Sequence, residues 1–359
     1  MTTTTESGAA LVAAHWRAMP VTRMLDYGVD YADVLAMQER TSAGIPWDEA
    51  AEALADAHLE RAATAMRDGN LITSLAEYRS AAAALVFAQM AFNFDIPRKR
   101  DLYARLIDTL GRAADLATPA WERLRLPLGN GYLAGWLVRP KVPALGTVIV
   151  FGGQSGWGAA YLRCADAFAE RGLATILAEG PGQGETRLDG GVLLDVDIAA
   201  AFGAFVEHAL ADSSLGGSVG VWGNSLGGLY AAHTAAADSR VGACCVNGAP
   251  AVPRLLDFRT FREQALAMLG TKEADDVERN FARLRFDPQQ HRIDCPLLVL
   301  HGGNDAIVTL DDQRPFLDAA RNDTATLRIW DDGEHTIYNH SFERTAFVAD
   351  WFAHQLTRT

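Results

Sequence analysis

The chain has 359 residues, 49% of them hydrophobic, enough for one large buried core with an accessory part. Its 32 basic and 45 acidic residues leave a net charge of -13, and the Lys and Arg are scattered, so neither nucleic acid nor a membrane is expected as a partner. Cys164, Cys244, Cys245 and Cys295 fit neither a disulfide framework nor a zinc-site spacing and read as reduced, buried thiols.

The N-terminal stretch MTTTTESGAALVAAHWRAMP has no basic start, and its apolar run ends at His15, too short for a signal peptide or a membrane span. A cytoplasmic protein is expected. From about Ala9 to Leu116 the apolar residues recur at three- and four-residue spacing among Ala, Leu, Glu and Arg, which predicts an all-helical domain over 1–118. Asp48 ahead of an Ala/Glu run and Gly69 after it read as start and stop signals, and Pro97 as the end of the next helix.

A second domain is predicted over 119–359. It opens with a hairpin, ERLRLPL and YLAGWLV, whose Asn-Gly pair supplies the positive backbone angles of a tight turn. Strands and helices then alternate: TVIVF, a helix near Tyr161 to Arg171, ATILAE, a helix near Val196 to Leu210, SVGVW, an Ala-rich helix, GACCVN, PLLVLHG and TLRIW. Short apolar strands separated by helices predict a mostly parallel, doubly wound α/β sheet covered on both faces. The stretch at about 251–293 is too long for a simple connection and predicts a short helical cap insertion at the ligand-binding edge of the sheet.

Gly223-Asn224-Ser225-Leu226-Gly227 matches G-x-S-x-G between a predicted strand and a predicted helix. Small residues suit a strained turn that holds Ser225 out of the sheet. A serine hydroxyl is a weak nucleophile without a base, and the base needs an orienting acid. LLVLHGGNDAIV supplies Asp305 after the next-to-last strand, and RIWDDGEHTIYNH supplies His335 after the last. The order Ser, Asp, His is that of an α/β-hydrolase triad.

Rivals exist. Asp294 precedes its strand, Asp311 and Asp312 suit a helix cap, and Asp331 or Asp332 is open as a substitute for Asp305. His340 is the rival base, while His301 reads as structural. An oxyanion requires two amide donors: Leu226 for one, and Gly153 or Gln154 of the GGQSGWG loop for the other. Trp157 in that loop either walls the acyl pocket or packs, and the insertion's Phe258, Phe261, Phe281 and Phe286 either line an apolar pocket or pack a helical cap. EGPGQGETR lacks the spacing of a dinucleotide fingerprint. The expected chemistry needs no metal and no cofactor.

EYRSAAAALVFAQMAFNFD, VIVFGGQSG, ILAEGPGQGET, GVWGNSLGG, LLVLHGGNDAIV and DDGEHTIYN together resemble a branch of the α/β-hydrolases. That branch includes 2,6-dihydroxypseudooxynicotine hydrolase, the FrsA-like esterases and the polyketide-shortening hydrolases of fungal pigment pathways, and the resemblance runs from about Leu71 to the C-terminus. It implies an α/β-hydrolase fold, a triad on Ser225, Asp305 and His335, and an N-terminal helical region that covers the site and takes part in a homodimer. It implies cleavage of a carbon-carbon bond next to a ketone, or of an ester, in an aromatic or polyketide-like small molecule. Ring closure or carbon-carbon bond formation in the same pocket is the other enzymatic reading, since fold does not settle chemistry. A non-catalytic binding module would not need an intact triad.

Overall fold

The structure, a computed structural model, describes residues 8–321 and 324–357, so the start of the N-terminal stretch lies outside the described residues. The described residues group into two compact units. One comprises residues through Ala117 with Asp257–Gln264, the other Thr118–Leu256 with Ala265 onward.

The first unit is built from α1 (Gly8–Ala18), α2 (Val21–Asp26), α3 (Tyr31–Ser42), α4 (Trp47–Arg67), α5 (Leu71–Gln89) and α6 (Pro97–Leu116). One expected boundary role holds and one is corrected. Helix α4 starts behind Pro46, and Asp48 stands in its first turn, where a carboxylate suits the helix N-terminus and accepts a hydrogen bond from Arg98 at 2.8 Å. Pro97 opens α6 instead of closing α5, because its missing N–H is an orphan in a first turn anyway. Arg98 also bonds Glu52 at 2.6 Å, and Arg105 reaches Glu52 and Asp56, so α6 is tied to α4. These guanidinium groups are about one-third exposed, and each pair contributes at most about 1 kcal/mol. Among the described residues, α5 alone is long and apolar enough to cross a membrane by length and composition. Its apolar character serves packing: Ala81 to Phe87 are all buried, and the Trp47 indole of α4 donates to the Phe87 carbonyl at 2.9 Å.

The second unit begins with β1 (Glu122–Leu128) and β2 (Gly131–Val138), followed by β3 (Gly146–Phe151), α7 (Leu162–Ala169), β4 (Leu173–Glu179), α8 (Gly184–Leu188), α9 (Ile198–Ala211), β5 (Val219–Asn224), α10 (Leu226–Ala237) and β6 (Val241–Asn247). Next come α11 (Arg259–Leu269), which starts in the first unit, α12 (Ala274–Arg283), β7 (Leu297–Gly302), α13 (Leu310–Ala319), β8 (Ala325–Trp330) and α14 (Ser341–Leu356). The hairpin turn takes its positive φ at Gly129 (57°), not at the Asn-Gly pair, because Gly131 is already in β2.

The eight strands lie in the order β1-β2-β4-β3-β5-β6-β7-β8, with β1, β2 and β4 paired antiparallel and the rest parallel. Strands β3, β4, β5 and β7 are buried at every residue, as parallel strands covered on both faces must be. That cover stops short of β8, an edge strand exposed from Thr326 to Ile329. Phe202 of α9 packs on Phe151 at 4.2 Å and stacks on Tyr230 of α10 at 5.1 Å, joining one helical layer to the sheet. Burying each such ring stabilises the fold by about 2–3 kcal/mol.

Strand order reverses at β3: the chain first steps to β4, then to β5 on the other side. Ligands of open α/β sheets bind outside the carboxyl ends of strands at such a switch point. The loops after β3 and β5 meet there. The insertion's Phe281 and Phe286 are buried in the core of this unit, as the packing reading expects. Phe286 packs on Phe316 of α13 at 5.0 Å, and Val277 and Phe281 are the buried face of amphipathic α12.

Candidate active site

Ser225 sits between β5 and α10 with φ 55° and ψ -131°, a left-handed conformation that a side-chain-bearing residue holds only when its surroundings impose it. The surroundings are close-packed. A Cβ at Gly223 would fall on the Gly227 carbonyl, and one at Gly227 on the carbonyls of Phe151 and Gly152. One at Gly228 would lie 2.6 Å from the Ala249 Cβ. The Ser225 N–H donates to the Asn247 carbonyl of β6 at 2.8 Å, and its carbonyl accepts from Gly228 at 2.8 Å. Gly223→Ala is therefore expected to destabilise the protein by about 3 kcal/mol or more, read as a lowered urea midpoint. An unchanged midpoint would show that the corner can relax.

Asp305, after β7, has a side chain closed to solvent. Its Oδ1 accepts from the amides of Ile307 (2.8 Å) and Val308 (3.0 Å), and its Oδ2 faces His335 Nδ1 at 2.8 Å. Burial pushes the carboxyl up, but the charge and hydrogen bond of His335, together with the two amides, outweigh it and leave the group below the usual carboxylate range. An ionised carboxylate only accepts, so His335 Nδ1 carries a proton and Nε2 is left as an acceptor. That Nε2 lies 2.9 Å from Ser225 Oγ.

His335 leads into a turn through Thr336 (φ 52°) and Ile337 (φ 62°), where left-handed geometry costs a β-branched residue roughly 1–2 kcal/mol. Two buried side chains that sequence reasoning did not single out hold it. Asn247 Nδ2 donates to the Thr336 carbonyl at 3.1 Å and to Asn224 Oδ1 at 2.7 Å, and Arg344 of α14 donates to the same carbonyl at 2.9 Å. A polar residue ending the apolar strand GACCVN was a signal for Asn247. Arg344 had none, since one Arg in an amphipathic helix reads as solvated.

Asp294, Asp312, Asp332 and His340 are occupied elsewhere. Asp294 pairs with Arg321 at 3.1 Å before β7 begins. Asp312 closes a capping box with Thr309 at the start of α13. Asp332 bonds His340 at 2.8 Å, so one rival acid is spent on the rival base. His301 is buried at the end of β7, and burial lowers its pKa.

The Leu226 amide is in the first turn of α10, where helical N–H groups have no intrahelical acceptor. Gly153 lies against the serine: a Cβ there would be 3.0 Å from Ser225 Cβ and 3.6 Å from Oγ. Gln154 and Trp157 of the same loop are buried. Behind the loop, Gln183 Nε2 donates to the carbonyls of Gly152 (2.9 Å) and Gly153 (2.8 Å). Gln183 was not expected; the signal was a polar residue set between glycines directly after an apolar strand. Phe258 and Phe261 belong to the first unit, with ring centroids 6.3 Å apart, and Phe258 is more than half exposed.

The parallel sheet, the strained serine corner and the acid and histidine after later strands define an α/β-hydrolase. The prolyl oligopeptidase family matches residues 167–359, and the chain belongs to that family. Over 341 residues it is 26% identical to 2,6-dihydropseudooxynicotine hydrolase of Paenarthrobacter nicotinovorans, covering 92% of this chain and 89% of that one. It superposes on a crystal structure of 2,6-dihydroxy-pseudo-oxynicotine hydrolase with a TM-score of 0.84 at 25% identity, over 93% of this chain and 95% of the other. AbyA5 shares the fold with a TM-score of 0.65 at 19% identity, over 85% and 88% of the two chains. The chain is a hydrolase of the α/β-hydrolase type.

Proposed function

We propose that the protein is a serine hydrolase that opens a carbon-carbon bond next to a ketone, or an ester, in an aromatic small molecule through an acyl-enzyme. The observation that carries this reading is the relay from Asp305 to His335 to Ser225, with contacts of 2.8 and 2.9 Å behind a serine at φ 55°. His335 Nε2 takes the Ser225 proton as Oγ bonds to the substrate carbonyl carbon, whose π electrons move onto oxygen. The amides of Leu226 and of Gly153 or Gln154 hold that oxyanion. The tetrahedral centre collapses, the leaving group departs with the bonding electrons, and His335 returns the proton to it. Water, deprotonated by His335, then releases the acid and restores Ser225.

An enolate or a phenol-substituted ring carbanion is a competent leaving group when it is protonated as it departs. Similarity along nearly the whole chain to a hydrolase named for a dihydroxylated pseudooxynicotine supports an aromatic ketone as substrate. Intact-mass spectrometry with a fluorophosphonate, run beside turnover of p-nitrophenyl esters and hydroxyaryl ketones or β-diketones, tests both halves. One adduct per chain with release of a carboxylic acid from the ketones is the expected result. Ester turnover alone would exclude the carbon-carbon reading, and the absence of any adduct on the folded protein would exclude the acyl-enzyme.

A further inference from the structure

The GPGQG segment after β4 has no part in the serine relay, yet it is built with unusual economy. Gly180 packs so closely on Phe202 that a Cβ would overlap the ring, and a Cβ on Gly182 (φ 79°) would stand 2.8 Å from that of Met268. Between them the chain turns back, the Gln183 N–H bonding the Gly180 carbonyl at 3.0 Å. Gln183 Oε1 accepts from the Gly180 N–H at 2.7 Å. The side chain is fully buried, and its amide reaches across to the carbonyls of both Gly152 and Gly153. Both of its N–H donors and its oxygen are thus engaged with backbone groups.

The consequence follows from peptide planarity. In a trans peptide the C=O and the next N–H point in opposite directions. Holding the Gly152 carbonyl sets the direction of the Gly153 N–H, and holding the Gly153 carbonyl sets that of the Gln154 N–H. One buried side chain therefore orients two successive peptide groups of the loop that lies against Ser225. We infer that Gln183 is the positioning residue of the oxyanion hole, turning the peptide groups of Gly152 to Gln154 so that their N–H dipoles face the developing oxyanion. Gln183 itself touches no reacting atom. The inference rests on the serine-hydrolase reading above, because only an oxyanion needs those amides pre-aligned; preorganised donors of this kind account for much of the rate enhancement in acyl transfer.

Gln183→Met keeps the volume and removes all three bonds. Gln183→Glu keeps the bond from Gly180 but turns an anionic acceptor toward two carbonyls. In the full-length protein, the rate of Ser225 phosphonylation and kcat for the best substrate are expected to fall about 10- to 100-fold in Gln183→Met, a fraction of the loss seen when an oxyanion donor is removed outright. KM should stay within about threefold, and the pH profile should keep its wild-type shape because the Asp305–His335 pair is untouched. Gln183→Glu should recover rate relative to wild type at the same pH as pH falls and its carboxyl gains a proton to donate. Simple loss of packing predicts no such recovery, and this variant decides the matter if Gln183→Met does not fold. Folded variants that label and turn over within about threefold of wild type would overturn the inference. In that case the serine reading would still stand, provided wild type labels and Ser225→Ala does not; an unlabelled wild type would overturn both.

Discussion

Ser225→Ala is expected to remain folded, to take up no fluorophosphonate, and to turn over substrate roughly ten-thousand-fold more slowly than wild type, or worse. Folding should survive because the left-handed corner is imposed by the glycines at 223, 227 and 228 and by the backbone bonds to Asn247 and Gly228, none of which uses Oγ. Alanine meets the same backbone strain as serine there. Activity should not survive, because His335 then has no proton to take and no atom to direct at the carbonyl. What remains is the contribution of binding and of the oxyanion amides, which alone still accelerate acyl transfer over water. Intact mass and urea unfolding on the same preparation decide it. An adduct that persists in the folded variant would place the nucleophile elsewhere.

Asp305→Asn should lower kcat by about a thousand- to ten-thousand-fold while the side chain remains in place. The direction follows from its partners. Oδ1 receives two amides, from Ile307 and Val308, so an asparagine must put its carbonyl oxygen there and its NH2 group toward His335 Nδ1. A donor facing Nδ1 forces the proton onto Nε2, which then meets the Ser225 hydroxyl as a donor and cannot act as its base. Stability should respond to pH as well. Burial raises the Asp305 carboxyl, but His335 and the two amides lower it by more, so its folded value lies below the unfolded one. A depressed carboxyl stabilises the protein above the unfolded value, and the contribution is lost as pH falls through the folded one. The gap in urea midpoint between wild type and Asp305→Asn should therefore narrow as pH drops from about 6 to about 3. A gap independent of pH would show that the ion is not what distinguishes the two side chains.

Much of the site was legible along the chain because its chemistry is local. G-x-S-x-G needs only a strand, a corner and a helix, all of which Val219 to Ala237 announce by β-branched residues, glycines and an Ala-rich run. Asp305 and His335 were readable because each follows its own strand, and β-strands declare themselves by short apolar runs. The errors lie where one residue type serves two roles. A proline either stops one helix or starts the next, as Pro97 does. Phe281 and Phe286 carried the same ambiguity between pocket and core.

The sequence by itself determined the order of strands and helices and put forward Ser225, Asp305 and His335 as candidates, which the structure brings within hydrogen-bond distance, since propensity, turn chemistry and periodicity act over a few residues. Only the tertiary structure decided which distant groups meet. The reversal of strand order at β3 brings the Gly152–Gln154 loop to Ser225, and burial selects Asn247 and Arg344 to hold the strained turn after His335. It also carries Gln183 to the carbonyls of Gly152 and Gly153, some thirty positions earlier in the chain. The physical reason is that a buried donor must find an acceptor wherever the fold offers one, and such pairings obey no sequence period.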